Sequence, residues 1–427
     1  MISVRNHRLP LSGNRWLIIL VVAIIAGACS PKTQPAVKTT AKSAEKEAGK
    51  NDTKATAEKP AKEKLKAKKV SDRISTISLL LPLGLDHLNP GAKYTPAGLK
   101  KAGLALDYYR GFKLALDSLT EQGANYRLQV YDSKDEPAQS HSLALNPQIK
   151  ASDLIVGPVF PDGMKVFTSA PNVSKNLILS PLSPASPLTY NNPNIITVIP
   201  PLEYHAWKAA EFVSKNVKTQ KVFVLASGYS DEKAYIGFFK KAIDSLTKKR
   251  VKVVQLTVVR GNLNAIVPQL TKFDRNFFVI PSTKQAFLKI TLYSLDTLSR
   301  RFPVTLFGHP NWEKYSYLKA EQLQRLNTHI TSADKVNYKS AATITFVRNY
   351  RKMYGAEPSE YAVKAFDEGL YFGQLLADGR DNLHELNENG FTGLHNSFSF
   401  KKKPGQGWVN THVNVLKYTN FELRQVE

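Results

Sequence analysis

Residues 74–82, Ile74-Ser-Thr-Ile-Ser-Leu-Leu-Leu-Pro82, form a short apolar run closed by proline. Such a run is typical of a strand that other elements cover on both faces. Apolar residues at helical spacing follow over residues 103–121, and residues 126–132 then alternate as a second strand. Strand, helix and strand in this order predict a β-α-β unit with parallel strands.

The same alternation continues along the chain. Further strands of the first series are predicted at 154–160, 177–181 and 195–200. A second series of helices and strands alternates through residues 203–216, 221–226, 231–247, 251–259, 276–281, 284–300 and 304–308. A later helix over residues 360–377 is expected to return to the first series. The pattern predicts an α/β fold with two doubly wound parallel-sheet lobes.

Composition excludes several classes of protein. The chain has 427 residues, of which 42% are hydrophobic, and a single cysteine. It therefore forms no internal disulfide and no cysteine-rich metal site. The apolar residues are too dispersed for a protein with several membrane spans. No cofactor and no metal ion are expected.

The N-terminus has the pattern of an export signal. Three arginines precede an apolar run, residues 16–28, which is too short to span a bilayer. Small residues then lead into the only cysteine, Cys29, which resembles the lipid-attachment site of bacterial lipoproteins. We expect residues 1–28 to be a signal peptide and Cys29 to be lipidated. Ser30 is not an acidic retention residue, which by resemblance favours the outer membrane.

Residues 29–72 have the composition of a disordered tether. Residues 31–70 contain 12 lysines and 5 acidic residues, and residues 31–72 contain no aromatic residue. Such a segment cannot bury a core. Its expected root-mean-square reach is roughly 35 Å. It is either a spacer without a specific partner or a tether that lifts the body from the membrane or threads cell-wall polymer. The body keeps a net charge of +14 over residues 71–427, but the export signal argues against a nucleic-acid partner.

Motifs in the body resemble those of the type I periplasmic binding proteins, the Leu/Ile/Val-receptor-like superfamily. The resemblance covers nearly all of the body and lies in the order of the motifs rather than in any one of them. It rests on residues 77–84, 130–134, 154–158, 179–183, 231–237 and 346–355, and then on Pro358, Tyr361 and the pair at 366–367. It implies two lobes over residues 73–427, joined by three crossovers, with a ligand cleft between them. The first lobe is expected at about 73–200 and 310–400, and the second at about 201–309 and 401–427.

The resemblance also implies where a ligand would bind. In amino-acid receptors of this superfamily, two first-lobe loops bind the ligand carboxylate. The matching loops here contain Asp162 and the serines Ser180, Ser183 and Ser186, although Ser-Pro steps of this kind also simply shape turns. On the second lobe, Tyr229, Asp231 and Trp312 follow strands. Asp367 matches a position that often contacts the cleft or else caps or pairs inside its lobe.

No catalytic motif is present, so the chain is not expected to be an enzyme. The sequence lacks a phosphate-binding loop, a paired-histidine zinc motif and a nucleophile elbow. The principal hypothesis is an exported, lipid-anchored solute-binding protein that closes on a small ligand and serves a transporter or receptor. The alternative is a ligand-free interaction module that regulates cell-wall synthesis, as in lipoproteins that activate penicillin-binding proteins. The expected partners are a small molecule or a cell-envelope protein, together with the membrane through the lipid anchor.

Overall fold

The computed structural model describes residues 73–88, 95–171, 173, 176–379, 386 and 390–427. These residues all belong to one compact unit, Lys68–Glu427. The predicted signal peptide, Cys29 and the predicted tether lie outside the described residues. Among the described helices, none is both long enough and apolar enough to cross a membrane.

The first lobe is built on a seven-stranded sheet. Its strands are β1 (Ile74–Leu81), β2 (Asn125–Asp132), β3 (Leu154–Val156), β4 (Ile178–Ser180), β5 (Ile195–Thr197), β13 (Phe400–Lys402) and β14 (Trp408–Asn410). They lie in the order β13-β14-β5-β4-β3-β1-β2. All neighbours pair in parallel except β13 and β14. Its helices are α1 (Pro96–Thr120), α2 (Pro137–Leu145), α3 (Pro147–Lys150), α4 (Pro161–Ser169), α9 (Ala341–Tyr354) and α10 (Glu360–Asp378). A two-stranded sheet of β11 (Phe391–Thr392) and β12 (Ser397–Phe398) follows α10.

The second lobe is built on a seven-stranded sheet. Its strands are β6 (Lys221–Ala226), β7 (Lys252–Thr257), β8 (Asn276–Ile280), β9 (Val304–Gly308), β10 (Thr328–Ser332), β15 (Asn414–Thr419) and β16 (Glu422–Gln425). They lie in the order β16-β15-β10-β9-β8-β6-β7. Its helices are α5 (Leu202–Asn216), α6 (Lys233–Leu246), α7 (Gln285–Ser299) and α8 (Ala320–Arg325). The parallel strands are buried on both faces, as their continuous apolar runs predict. The predicted two-lobe α/β class is confirmed.

Helix α1 begins earlier than the predicted start at residue 103. Thr95 caps it, since the Thr95 hydroxyl accepts a hydrogen bond from the Gly98 amide at 3.0 Å, and Pro96 fills the first turn. The predicted helix over 360–377 is α10, and it returns to the first lobe as expected, where it packs closely on α1. A Cβ on Gly111 of α1 would lie 2.1 Å from the Ala362 carbonyl oxygen of α10. A larger residue at this position would force the two helices apart.

The described sheets place the lobe boundaries differently from the sequence-based bounds at two points. Strand β10 (Thr328–Ser332) lies in the second sheet, so the second crossover follows residue 332 rather than residue 309. Strand β14 lies in the first sheet, so the last crossover follows residue 410 rather than 400. Both strands are short and contain polar residues, so neither produces a long apolar run in the sequence. The described chain passes between the sheets three times.

Candidate functional site

A cleft of about 790 Å³ lies where the crossovers meet the carboxyl ends of strands β8, β9 and β10. The first lobe contributes the loop after β4 and the first turns of α10. The second lobe contributes the loops after β6, β8 and β9. Open α/β sheets bind ligands at this edge, outside the carboxyl ends of their strands. The residues that line the cleft include Leu182, Pro184, His205, Asp231, His309, Glu313, Asp334, Lys335, Glu360 and Lys364.

Asp231 lies in the wall of the cleft, on the short 3-10 helix that follows β6. Its carboxylate lies 3.0 Å from the ammonium group of Lys284, and both side chains are nearly half exposed. The same ammonium group lies 5.4 Å from the ring centre of Tyr229. Tyr229 is 59% exposed, so its ring is accessible beside the cleft. The structure thus brings Tyr229 and Asp231 together, with Lys284 as a third member.

Two histidines in the cleft wall stay neutral at physiological pH. Nδ1 of His205 lies 3.1 Å from the Thr331 hydroxyl, and burial lowers the pKa of His205 to about 4. Nδ1 of His309 accepts a hydrogen bond from the Asn311 amide at 3.1 Å, and burial lowers the pKa of His309 to about 4. Neither histidine is among the site residues predicted from the sequence. The sequence feature that marks His309 is its position, directly after a buried strand and before a proline.

Charged side chains at the second crossover pair with one another. Nζ of Lys364, on α10, lies 2.5 Å from the Asp334 carboxylate and 3.3 Å from the Glu360 carboxylate. Burial lowers the pKa of Lys364, but the two carboxylates outweigh that effect and raise it. Nζ of Lys335 lies 3.7 Å from the Glu313 carboxylate. Because of these pairs, most charged side chains in the cleft already have an oppositely charged partner.

None of the three predicted serines is among the residues that line the cleft. Ser180 is fully buried, and its hydroxyl has no hydrogen-bond partner among the described residues. The Ser183 hydroxyl accepts a hydrogen bond from the Ala185 amide at 3.2 Å. Ser186 precedes a short 3-10 helix without capping it. The part of this loop that lines the cleft is the apolar pair Leu182 and Pro184.

Asp162 is exposed in the first turn of α4 and is absent from the lining of the cleft. A carboxylate in the first turn is favourable to the helix, because the amino end carries partial positive charge. The position of Asp162 therefore has a structural reason that requires no ligand. The first of the two predicted carboxylate-binding loops contributes no residue to the cleft wall.

The prediction for Trp312 is wrong, because this residue belongs to the core of the second lobe. Its side chain is 1% exposed, and its indole N–H donates to the Ser282 carbonyl at 2.9 Å. The ring packs flat on Gly308, where a Cβ would lie 2.2 Å from an indole carbon. Trp312 therefore has no free face on which a ligand could stack.

Asp367 pairs inside its own lobe, which is one of the two alternatives predicted for it. It is fully buried and accepts hydrogen bonds from the amides of Leu394 and His395 at 2.8 and 2.9 Å. The His395 ring Nδ1 contacts the same carboxylate. Asp367 thus fixes the segment after β11 and lies outside the interlobe cleft. Within the described residues, no group of three or more histidine, cysteine or acidic side chains is arranged to hold a metal ion.

Comparison with known proteins yields matches in structure only. No protein-family model matches the chain, and no curated protein does. A putative branched-chain amino-acid ABC transporter protein from Rhodospirillum rubrum is 12% identical with a TM-score of 0.56, and the alignment covers 83% of this chain and 99% of that chain. An ABC transporter substrate-binding protein from Desulfitobacterium hafniense, solved with Leu, is 14% identical with a TM-score of 0.53, and the alignment covers 83% and 100%.

Full-length LpoA from Haemophilus influenzae is also similar, at 13% identity and a TM-score of 0.54. The alignment covers 83% of this chain but 59% of that chain, so this chain corresponds to a part of LpoA. At such identities the shared property is the fold. The chain has the two-lobed α/β fold of the type I periplasmic binding proteins.

Proposed function

We propose that the chain is an exported binding protein that closes its two lobes on a small ligand. The observation that carries the proposal is the cleft of about 790 Å³, which both lobes line at the crossovers. A cavity of this size suits a small organic molecule. Closure would shift an equilibrium between open and closed forms, because a ligand that contacts both lobes binds the closed form more tightly. The protein would bind the ligand and present it to a transporter or receptor, without catalysis.

The cleft favours a neutral or cationic ligand over a free amino acid. The first-lobe loop after β4 contributes Leu182 and Pro184 to the cleft, and neither side chain donates a hydrogen bond. From the second lobe the cleft receives the carboxylate of Asp231, which is nearly half exposed. A cationic ligand could replace Lys284 as the partner of Asp231. A carboxylate ligand would find no side-chain donor on the wall formed by Leu182 and Pro184, and Lys335 and Lys364 of the cleft are already paired with carboxylates.

A thermal-shift screen tests the proposal on the purified chain. The screen compares amino acids, quaternary amines, polyamines and neutral sugars. A ligand at 100 times its dissociation constant should add about 2.7 kcal/mol to the free energy of unfolding. The gain from a cationic ligand should disappear in Asp231→Asn and persist in the matched variant Asp162→Asn, because Asp162 lies outside the cleft. A gain from a cationic ligand that survives both substitutions would place that ligand elsewhere.

The second candidate function is a protein-interaction module that regulates cell-wall synthesis without a small ligand. The internal pairing of the cleft supports it, since Asp231, Glu313 and Asp334 already have cationic partners. A silent screen, combined with retention of a cell-wall synthase by the immobilised chain, would favour this candidate. Retention of a transporter component by the immobilised chain would instead favour the solute-binding function.

The proposed location is the cell envelope, facing the periplasm, with a lipid anchor at Cys29. The apolar run before Cys29 and the small residues at the cleavage position support it. The resemblance of this signal to those of outer-membrane lipoproteins favours the outer membrane over the inner one. Several acyl chains would anchor the protein firmly, at about 0.8 kcal/mol for each buried methylene.

A further inference from the structure

The excess positive charge of the body lies almost entirely on the second lobe. Residues 202–332 and 414–427 contain 23 lysines and arginines against 11 acidic residues, a net charge of +12. Residues 73–201 and 333–413 have a net charge of +3. Because the two lobes have similar folds, this asymmetry does not come from the architecture. It indicates a role specific to the second lobe.

The basic residues are concentrated at the amino ends of the second-lobe strands, the end opposite the cleft. We define the basic pole as the four turns that precede β6, β7, β8 and β9, residues 217–221, 247–252, 271–275 and 300–303. These turns contain one acidic residue, Asp274, and ten basic residues: Lys218, Lys221, Lys248, Lys249, Arg250, Lys252, Lys272, Arg275, Arg300 and Arg301. The ion pairs of this lobe involve other lysines and arginines among the described residues.

The sheet holds the four turns side by side. Lys221 and Lys252 are register neighbours, and the Lys252 amide donates to the Gln220 carbonyl at 2.8 Å. On the other side, the Asn276 amide donates to the Pro303 carbonyl at 2.9 Å. The order β7-β6-β8-β9 gives a row about 14 Å long at the ordinary strand spacing. Ten positive charges thus share one end of the lobe.

An exposed phenylalanine projects from the basic pole. Phe273 is 95% exposed, although phenylalanine is normally among the most buried residues. Its turn is well fixed, because the Asn276 side chain both accepts from the Thr271 amide at 3.0 Å and donates to the Thr271 carbonyl at 2.8 Å. A second exposed phenylalanine, Phe421 at 62%, lies in the turn between β15 and β16. This turn is close to the start of β10, since the Phe421 amide donates to the Gln324 side chain at 3.1 Å.

We propose that the basic pole docks on the surface of an anionic phospholipid bilayer. Lysine and arginine side chains are attracted to anionic headgroups, and a phenylalanine among them can enter the interfacial layer. A nucleic acid is the less suitable partner, because the pole is the end of a sheet rather than a groove lined by several aromatic rings. Docking at this end leaves the cleft, at the opposite ends of the same strands, open to ligand.

Vesicle sedimentation of the full chain tests the proposal. Neutral phosphatidylcholine vesicles are compared with vesicles that contain about one third phosphatidylglycerol, a composition that gives the surface the negative potential that attracts basic residues. Every variant retains the apolar run 16–28 and the lysine-rich segment after it. The readout is therefore the ratio of the partition coefficients for anionic and neutral vesicles.

The double variant Lys252→Glu/Lys272→Glu should lower this ratio at least tenfold. The matched control Lys401→Glu/Lys403→Glu changes the net charge equally on the first lobe and should leave the ratio near that of the parent. Phe273→Ser should weaken binding to anionic vesicles most clearly at high salt, where the electrostatic attraction is screened. Unchanged melting temperatures show that the variants are folded.

Equal ratios for the pole variant and its control would overturn the proposal. So would binding of the pole to a nucleic acid or another soluble polyanion but not to anionic vesicles. A Phe273→Ser variant that binds like the parent at every salt concentration would overturn the part that concerns the aromatic ring. None of these outcomes depends on whether a ligand binds in the cleft.

Discussion

Lys364 places its ammonium nitrogen 2.5 Å from the carboxylate of Asp334 and thereby links helix α10 of the first lobe to the second crossover. The lysine side chain is only 9% exposed, whereas the Asp334 side chain is 30% exposed. Because the crossover is where the two lobes must bend, this pair is well placed to limit their relative rotation. Lys364 also lines the cleft, so the same side chain connects the hinge and the site.

Replacement of Lys364 by Met should destabilise the protein by about 1–3 kcal/mol, because Asp334 and Glu360 would lose their shared cationic partner. The folded-state pKa of Lys364 is raised from 10.5, so the stabilisation is fully present below that pH. It is lost as the pH rises through the folded-state value. Thermal unfolding as a function of pH measures the effect. The exposed Lys352→Met serves as the control, and an equal loss in both variants would contradict the assignment.

Stability should fall as the pH decreases from about 6.5 to 4, because His205 and His309 are buried in their neutral forms. Their folded-state pKa values are lowered from 6.5 to about 4, so the unfolded chain binds more protons in this window. The loss should amount to on the order of 2 kcal/mol or more for each histidine. Denaturant titrations at several pH values measure it. His205→Asn should flatten the pH dependence, and an unchanged slope would count against this origin.

Trp312→Ala should cost about 3–5 kcal/mol of stability, because it removes a buried aromatic side chain and leaves a cavity beside Gly308. Tyr229→Ala removes an exposed ring and should change stability by less than about 0.5 kcal/mol. Chemical denaturation of both variants compares the two residues directly. Similar losses would mean that Trp312 is not a core residue.

The two-lobe class could be predicted from the sequence because parallel strands buried on both faces leave unmistakable apolar runs, as at residues 74–82 and 276–281. Strand β10 could not, because Thr328–Ser332 contains a single apolar residue, Ile330, and is recognisable only by its pairing with β9 and β15. The start of α1 at Pro96 is indicated by Thr95 and the proline after it, whereas hydrophobic periodicity alone places the start at residue 103.

The site was less predictable than the fold. Asp231 was accessible to sequence reasoning because it follows a strand end, and strand ends meet at the cleft. The same argument failed for Trp312, since the missing side chain of Gly308 creates a slot that takes the indole into the core. The ion pair between Lys364 and Asp334 joins segments that are 30 residues apart in the sequence, so no local pattern reveals it.

Cys29→Ala should release the protein from the membrane fraction. The only cysteine of the chain follows small residues at the end of an apolar run, which is the pattern of a lipid-attachment site. The mature mass should fall by the mass of the lipid groups, as measured by mass spectrometry. Ser30→Ala is the neighbouring control and should stay in the membrane fraction. Equal sedimentation of both variants, with no change in mass, would refute the lipid anchor.

Free branched-chain amino acids and glutamate should bind weakly or not at all. A carboxylate ligand needs converging hydroxyl and amide donors on the first lobe, but neither the fully buried Ser180 nor Ser183 is among the residues that line the cleft. Leu182 and Pro184 form that wall of the cleft instead. Calorimetric titration with Leu, Ile, Val and Glu measures the affinity. Micromolar binding of any of them, abolished by Ser183→Ala but retained in Ser186→Ala, would restore an amino-acid site on the first lobe.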